Sequence, residues 1–458
     1  MKVIVCGAGQ VGFNIARYLS NEDNDVTVID QRPDLIRKMS DTLDVQCVLG
    51  HASHPPILEQ AGAADADMII AVTAVDEVNM VACQVAHSLF NVPTTIARVR
   101  SQNYLQPIWS NLFGPDHLPI DVIISPEIEV ARAINRRLQV PGAIEVIPLA
   151  GDKVHLIGVR CTEDTPLVNT PLRQLTVLFP DLNIVVVGIV RQGRAIVPAA
   201  EDQMLPGDEV MFVVDTQHIA RAMTAFGHEE PEARRMVIFG GGNIGQFLAQ
   251  QITGESSGCT VKVIELDRER AEVVAKSLPH CVVLNGDVLD TAILDEASVG
   301  SAETVVAVTN DDETNILSAL LAKRHGAKRV MALVNKTEYA PLMSTLGIDV
   351  VISPRAITVS NILHHVRRGR IHAVHSIHEG FGELIEADAM ETSPLVGKPL
   401  KEIKLPNGVL LGAIVRQGKV ISPRGTTVVQ SGDRVVLFAE SDAVRKIEKM
   451  FSVRLEYF

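Results

Sequence analysis

Two glycine-rich turns are the residues of this sequence best suited to chemistry. The first reads GAGQVG from Gly7, and the second reads GGGNIG from Gly240. Each follows an apolar run, and an acid, Asp30 or Glu265, ends the next such run. In a strand–turn–helix unit these glycines let the backbone approach a pyrophosphate, which binds amides at a helix N-terminus, while the acid accepts hydrogen bonds from a ribose. The acids favour NAD(H) over NADP(H), because a carboxylate repels a 2′-phosphate.

The residues at the end of the fourth apolar run of each copy extend these predicted pockets. Thr73 and Ala74 end MIIAVTA, and Thr309 and Asn310 hold the same place in the second copy. Ligands of open α/β sheets bind beyond the carboxyl ends of the strands. We therefore expect these four residues to line the two pockets.

A pair of arginines distinguishes the first copy from the second. Arg98 and Arg100 lie two apart in TTIARVR, which predicts that both point to one face of a strand. Two guanidinium groups beside the pocket would clamp phosphate oxygens; the alternative is a pair of solvated edge arginines. Leu333 replaces Arg98 in the second copy, which indicates pockets with different ligands or affinities.

Histidines supply weaker candidates. His51 stands in the first copy where the second has Asp287, and His51 and His54 are three apart without a nearby carboxylate, so we expect no metal there. A cluster after the second copy could bind metal or sense pH, although incidental surface polarity is favoured because the first copy lacks it. Its members are His364, His365, His372, His375 and His378.

Charge and composition argue against several classes of function. The net charge of −13 argues against nucleic-acid partners and against adhesion to anionic lipid. No run approaches 18 uncharged apolar residues, so we expect no membrane span, and MKVIVCGAG enters a strand without room for a signal peptide. The six cysteines include no CxxC pair, which favours reduced core thiols in a cytoplasmic protein.

The repeat extends over the whole chain. Each half continues with AVTxxDExN, an ISP tripeptide and a VRQG hairpin signal. Alternating strand and helix patterns predict an α/β fold: two Rossmann-like doubly wound parallel-sheet domains, each followed by a small β-rich α+β domain, as a tandem duplication. The predicted segments are nucleotide-binding domains at 1–124 and 233–352, crossover helices at 125–142 and 353–371, and small domains at 143–227 and 372–458.

These motifs, in the same order in both halves, resemble the regulator-of-potassium-conductance module. The doubled arrangement is similar to the regulatory subunits of Trk-type bacterial potassium uptake systems. The resemblance implies binding of NAD(H) and, in relatives, ATP or ADP. The residues it implies are Gly7, Ala8, Gly9, Gln10, Val11, Gly12, Asp30, Thr73, Ala74, Arg98, Gly240, Gly241, Gly242, Asn243, Ile244, Gly245, Glu265, Thr309 and Asn310.

The resemblance also implies a place and partners. It implies a peripheral protein on the cytoplasmic face of the inner membrane that docks on a potassium-translocating membrane subunit. There it would form a gating ring as a homodimer or homotetramer. The crossover helices lie between the predicted domains, and we take them as candidate hinges and dimer contacts.

Two other functions are compatible with nucleotide pockets. One is an NAD-dependent oxidoreductase, but no small domain shows an obvious histidine or lysine with a paired carboxylate, and GxxxxGK[ST], HExxH and GxSxG are absent. We therefore predict no catalytic residues and no enzyme. The other is a metabolite-binding scaffold without a membrane partner.

Overall fold

The computed structural model describes residues 1–21, 24–114, 116–179, 182–255, 258–366, 371–377 and 381–451. These residues form two parallel six-stranded sheets, each followed in the chain by an antiparallel five-stranded sheet. The predicted fold class is confirmed.

The first parallel sheet has the strand order β3-β2-β1-β4-β5-β6. Its strands are β1 (Lys2–Cys6), β2 (Asp25–Asp30), β3 (Gln46–Leu49), β4 (Met68–Ala71), β5 (Thr95–Arg98) and β6 (Val122–Ile124). Its helices are α1 (Gln10–Asn21), α2 (Pro33–Thr42), α3 (Pro55–Gln60) and α4 (Asp76–Phe90). Aliphatic side chains cover both faces, as expected for a parallel sheet between helix layers. The order reverses between β1 and β4, and ligands of open α/β sheets bind at the carboxyl edge of such a reversal.

A crossover helix, α5 (Pro126–Gln139), leads from this sheet to the first antiparallel sheet. That sheet contains β7 (Glu145–Leu149), β8 (Val154–Arg160), β9 (Ile184–Arg191), β10 (Arg194–Ile196) and β11 (Glu209–Asp215), with α6 (Leu172–Leu178) and α7 (Ile219–Ala225). The VRQG signal does form a hairpin turn between β9 and β10. Gln192 and Gly193 both have positive φ there, 51° and 75°, as a two-residue hairpin of this kind requires.

The second parallel sheet repeats the first, in the order β14-β13-β12-β15-β16-β17. Its strands are β12 (Arg235–Phe239), β13 (Thr260–Glu265), β14 (Val282–Asn285), β15 (Thr304–Ala307), β16 (Arg329–Leu333) and β17 (Val350–Ile352). Its helices are α8 (Asn243–Glu255), α9 (Arg268–Ser277), α10 (Thr291–Glu296), α11 (Asp312–Arg324) and α12 (Ala340–Leu346).

The chain closes with a second crossover helix and a second antiparallel sheet. These elements are α13 (Pro354–Val366), β18 (Ile371–Ile377), β19 (Gly382–Asp388), β20 (Val409–Arg416), β21 (Lys419–Ile421), β22 (Arg434–Glu440) and α14 (Ser441–Phe451). Side chains of the two antiparallel sheets share one apolar cluster that includes Val213 and Phe438. A buried carboxylate, Glu386, also accepts a hydrogen bond from the Ala150 amide at 2.7 Å.

The crossover helices pack on the parallel sheets of the opposite halves. Ile362 and Leu363 of α13 are buried in the cluster that contains Ile15 and Leu19 of α1. In the other direction, Asn135 of α5 donates a 2.7 Å hydrogen bond to Glu255 at the end of α8. This exchange joins the halves through their helices, an arrangement that the order of motifs did not predict.

The chain divides into two compact units, Met1–Glu129 with Pro354–Val366, and Val130–Ser353 with Arg367–Phe458. The division assigns α13 to the first parallel sheet, and the predicted domain limits stay a prediction.

All six cysteines are free thiols: Cys6, Cys83 and Cys161 are buried, and the other three are half-buried. Across the described ranges, no helix is long and apolar enough to span a bilayer.

Candidate functional site

Each glycine turn connects the first strand of its parallel sheet to the following helix. Gly7 has a φ of 111°, and a Cβ there would lie 3.0 Å from the Thr73 nitrogen. A Cβ on Gly12 would lie 1.8 Å from the Gly7 carbonyl oxygen, whereas nothing lies within 4 Å of the Cβ position of Gly9. The turn therefore has space above Gly9, and α1 begins at Gln10 with amides that helix geometry leaves for a ligand.

The second turn has the same construction. Gly240 has a φ of 103°, and a Cβ on Gly245 would lie 2.0 Å from the Gly240 carbonyl oxygen. The Cβ position of Gly242 is open, and α8 begins at Asn243. In both turns, therefore, the first and last glycines leave no room for a Cβ, whereas the middle glycine does.

The two predicted acids lie directly beside their turns. Asp30 accepts hydrogen bonds from the amides of Ala8 at 2.7 Å and Arg32 at 2.9 Å. Glu265 accepts from Gly241 at 2.6 Å and Asp267 at 3.0 Å. Each bond uses a different carboxylate oxygen, and each oxygen retains a lone pair that can accept a ribose hydroxyl.

A buried asparagine fixes the threonine of each pocket. The Asn79 side-chain oxygen accepts from the Thr73 amide at 2.8 Å and from the Thr73 hydroxyl at 2.7 Å. Its Nδ2 donates to the carbonyls of Thr73 and Arg98 at 3.2 and 2.9 Å. Asn315 repeats these contacts with Thr309 and Leu333. The residues after the threonines, Ala74 and Asn310, are exposed at the same edge.

Both asparagines were missed as functional residues in the sequence analysis. They belong to the repeated DExN segment, and their signal is a polar residue on the apolar face of a helix, since both are completely buried. Each connects the ends of two neighbouring strands through one side chain. We interpret them as positioning residues for the carboxyl edge of the sheet.

Arg98 ends β5 beside Thr73 and is half-buried. Its Nη2 donates to the Thr73 carbonyl at 2.7 Å, while its buried Nε has no hydrogen-bond partner in the described parts of the chain. Burial lowers the pKa of Arg98, and the neighbouring Arg100 lowers it further. A half-buried guanidinium with a buried, unsatisfied Nε favours an anionic ligand over a solvated edge position, and phosphate binding by Arg98 stays a prediction.

The expectation that Arg98 and Arg100 share one strand is wrong. Strand β5 ends at Arg98, and the Arg100 amide donates to Asp76 at 2.9 Å beyond the strand. The Arg100 side chain forms a 2.8 Å ion pair with Glu127 of α5. The Asp76 carboxylate, in the first turn of α4, therefore binds the backbone beyond the end of β5.

The second pocket carries a different arginine. Leu333, in the place of Arg98, is buried. Arg270 of α9 instead donates to the Gly241 carbonyl at 2.9 Å and to Gln246 at 3.1 Å. The arginine of the second pocket therefore lies beside the glycine turn, on α9. The arginine of the first pocket lies at the end of β5 instead. Sequence reasoning missed Arg270 because nothing in its own helix indicates that it reaches the turn.

Two of the histidine candidates stack on each other. His51 and His54 stack with ring centroids 4.7 Å apart, and His51 Nδ1 lies 2.9 Å from the Ser53 hydroxyl. Within the described ranges no group of three or more potential ligands could hold a metal ion. Of the later cluster, His378 lies outside the described residues, as do the side chains of His364 and His372.

One histidine–carboxylate pair does occur in a small domain, although the sequence showed no obvious pair of this kind there. His155 Nε2 lies 3.1 Å from Asp152, and its Nδ1 lies 3.0 Å from the Thr216 hydroxyl. Burial lowers the pKa of His155. All three residues belong to the first antiparallel sheet and the turn or short helix beside it, and none contributes to the contacts around either glycine turn.

Comparison with known proteins identifies the family. The TrkA-N domain model matches residues 3–126 and 236–354, and the TrkA-C domain model matches residues 149–227 and 384–452. The chain belongs to the TrkA family. This confirms the resemblance inferred from the motifs.

Curated TrkA proteins match over the full length. The chain is 52% identical over 458 residues to the Trk system potassium uptake protein TrkA of Azorhizobium caulinodans, covering 100% of both chains. It is 42% identical over 462 residues to the TrkA of Halomonas elongata, again with 100% coverage of both.

Solved structures share the fold of this TrkA chain. The GsuK RCK domain matches with a TM-score of 0.60 and 20% identity, covering 99% of this chain and 95% of that one. A GsuK channel bound to NAD matches with a TM-score of 0.60 and 19% identity, covering 99% of this chain and 79% of that one.

Proposed function

We propose that this chain is a nucleotide-sensing regulatory subunit of a Trk-type potassium uptake system. The observation that carries the proposal is the pair of glycine turns, each with an acid and an asparagine-fixed threonine at the crevice of a Rossmann-like sheet. Its full-length similarity to TrkA proteins of the Trk system supports the transport context. The related fold of a channel bound to NAD supports NAD(H) as one ligand.

The ligand-binding residues of the proposal are those predicted from the sequence, with NAD(H) at the glycine turns and ATP or ADP as further ligands. Arg98 supports a polyphosphate in the first pocket, because the Nε of its half-buried guanidinium is buried and has an unsatisfied donor. We place the protein on the cytoplasmic face of the inner membrane, as a homo-oligomeric ring docked on the potassium-translocating subunit. A ligand would act by binding two ring conformations with different affinity.

A titration of the full chain with NADH tests the two pockets. We expect Asp30→Ala and Glu265→Ala each to remove binding at one pocket, because each deletes the acid that faces the ribose. Isothermal titration calorimetry would report the number of sites and their affinities. Unchanged binding in both variants would contradict the proposed sites. Steady oxidation of NADH with a panel of carbonyl substrates would favour the oxidoreductase instead.

Arg98→Ala is expected to weaken ATP and ADP binding in the first pocket about tenfold or more and to leave adenosine binding unchanged. A charge-assisted hydrogen bond to phosphate contributes about 1.5–3 kcal/mol, and adenosine has no phosphate. Arg17→Ala removes the same charge from an exposed position of α1 and serves as the control. Equal losses for adenosine and ATP would refute a phosphate contact of Arg98.

Potassium flux in liposomes tests the transport context. We expect nucleotide to change flux through the membrane subunit only when the chain is present. Flux that does not respond to the chain, with or without nucleotide, would favour a scaffold without a membrane partner.

A further inference from the structure

Arg270, near the start of α9, extends its side chain to the second glycine turn. Its Nε donates to the Gly241 carbonyl at 2.9 Å, and its Nη2 donates to Gln246 at 3.1 Å and to Asn243 at 3.4 Å. All three acceptors are uncharged. Among the residues that the structure describes, the side chain forms no ion pair and its Nη1 has no hydrogen-bond partner. The guanidinium therefore keeps its charge and one donor nitrogen for a ligand.

The position of Arg270 is unfavourable for a cation unless an anion binds beside it. The side chain contacts the first turn of α8, and the macrodipole of a helix is positive at its N-terminus. The neighbouring carboxylates of Glu265 and Asp267 accept hydrogen bonds from backbone amides. In the first copy, Leu35 stands five residues after Asp30, as Arg270 does after Glu265, and packs on an apolar cluster. The repeated fold therefore does not require an arginine here.

The order of the strands decides which part of a nucleotide meets Arg270. Strand β13 lies on one side of β12, and β15 lies on the other. Glu265 ends β13, and α9 follows that strand directly. In the proposed site the ribose of adenosine lies beside this acid, and the rest of the ligand crosses the turn toward β15. Arg270 is thus on the adenosine side of the turn, beside the phosphate nearest to adenosine.

We propose that the second pocket recognises the adenosine 5′-monophosphate part of a nucleotide, with Arg270 as its specificity-determining residue. This rests on the proposed function, since it requires nucleotide at the second glycine turn. The guanidinium and the amides at the start of α8 bind the same phosphate from two sides. AMP, ADP, ATP and NAD(H) all contain this group, so the second pocket accepts each of them with similar affinity.

The opposite side of the second pocket supports this limit. Leu333, in the place of Arg98, ends β16 as a buried, uncharged residue. Lys336, three residues further along the chain, forms a 2.6 Å ion pair with Glu313, which balances its charge. We therefore expect little gain in affinity from a second or third phosphate.

Calorimetry on the full chain carrying Asp30→Ala, in which only the second pocket is expected to bind, tests the inference. We expect AMP, ADP and ATP to bind within about threefold of one another, and adenosine to bind about tenfold or more weakly, because the first phosphate makes the charge-assisted contact. Arg270→Leu introduces the residue type of the first copy. It should weaken AMP, ADP and ATP about tenfold each and leave adenosine unchanged.

Two further variants separate charge from structure. Arg268→Leu is the matched control, because it removes the same charge from the same helix at a side chain that is 83% exposed, and no affinity should change. Arg270→Gln keeps a donor for the Gly241 carbonyl and removes the charge. It should reproduce the losses of Arg270→Leu.

Three outcomes would overturn the inference and leave nucleotide binding at the second turn intact. These are AMP affinity that is far below that of ADP, losses in Arg270→Leu that are confined to ADP and ATP, and AMP affinity that is unchanged in this variant. A loss for adenosine equal to that for AMP in both Arg270 variants would overturn it too, because it would show a structural role. Failure of NADH and every adenine nucleotide to bind the Asp30→Ala chain would instead contradict the proposed second site itself.

Discussion

Gly12→Ala is expected to destabilise the first parallel-sheet unit by about 2 kcal/mol and to abolish nucleotide binding in the first pocket. A Cβ on Gly12 would lie 1.8 Å from the Gly7 carbonyl oxygen, so the turn and α1 must separate. Overpacking of this kind costs about 1–3 kcal/mol, and the better helix propensity of alanine offsets about 1 kcal/mol at most. Urea unfolding and calorimetry in a Glu265→Ala background would measure both effects for the first pocket alone.

Gly9→Ala is the matched control for this substitution. Its Cβ would meet no heavy atom within 4 Å, so the free energy of unfolding should change by less than about 0.5 kcal/mol. Nucleotide affinity should still fall about tenfold or more, because the methyl group occupies the space through which a pyrophosphate approaches the turn. Wild-type affinity in Gly9→Ala would contradict phosphate binding at this turn.

Asn79→Ala is expected to cost about 3 kcal/mol of stability and to weaken nucleotide binding in the first pocket. The substitution removes four hydrogen bonds and leaves buried groups of Thr73 and the Arg98 carbonyl unsatisfied. Each unsatisfied buried group costs about 1–3 kcal/mol, and relaxation recovers part of the sum. The faster exchange that we expect in β4 and β5 is measurable by hydrogen–deuterium exchange, and affinity by calorimetry.

The duplicated chain supplies the control for Asn79. Asn315 makes equivalent contacts at Thr309 and Leu333, so Asn315→Ala should cost similar stability but weaken binding in the second pocket. A loss of affinity in the same pocket for both variants would show that the effect is global unfolding. Wild-type exchange and affinity in Asn79→Ala would exclude a positioning role.

The two pockets have the same glycine turn, but different charged residues lie around it. Asp30 and Glu265 contact their turns in the same way, but the first pocket adds Arg98 at β5 and the second adds Arg270 at α9. A regulator with such pockets can respond to two ligands, because charge placed on different sides of a nucleotide selects different phosphates.

Local patterns were sufficient to predict the turns and the sheets. A Cβ at Gly12 or Gly245 collides with a carbonyl only a few residues away, so the requirement for glycine is visible in the sequence. The acids were predictable for a similar reason, since β1 and β2 pair in parallel and bring Asp30 next to Ala8. The prediction that Arg98 and Arg100 share one strand was wrong, because β5 ends at Arg98 and Asp76 binds the backbone that follows it.

The sequence by itself determined the duplication, the strand–turn–helix units and the residues around each glycine turn, because these depend on short-range sterics and on the periodicity of apolar residues. Only the tertiary structure decided which half each crossover helix packs on, that Arg98 is half-buried with a buried Nε, and that Glu127 pairs with Arg100. Each of these depends on desolvation and on contacts between distant parts of the chain: α13 meets α1 from the other half, and Glu127 lies 27 residues from Arg100. Helical periodicity predicts that α13 has an apolar face, but the same face fits either sheet, and the choice requires the packed molecule.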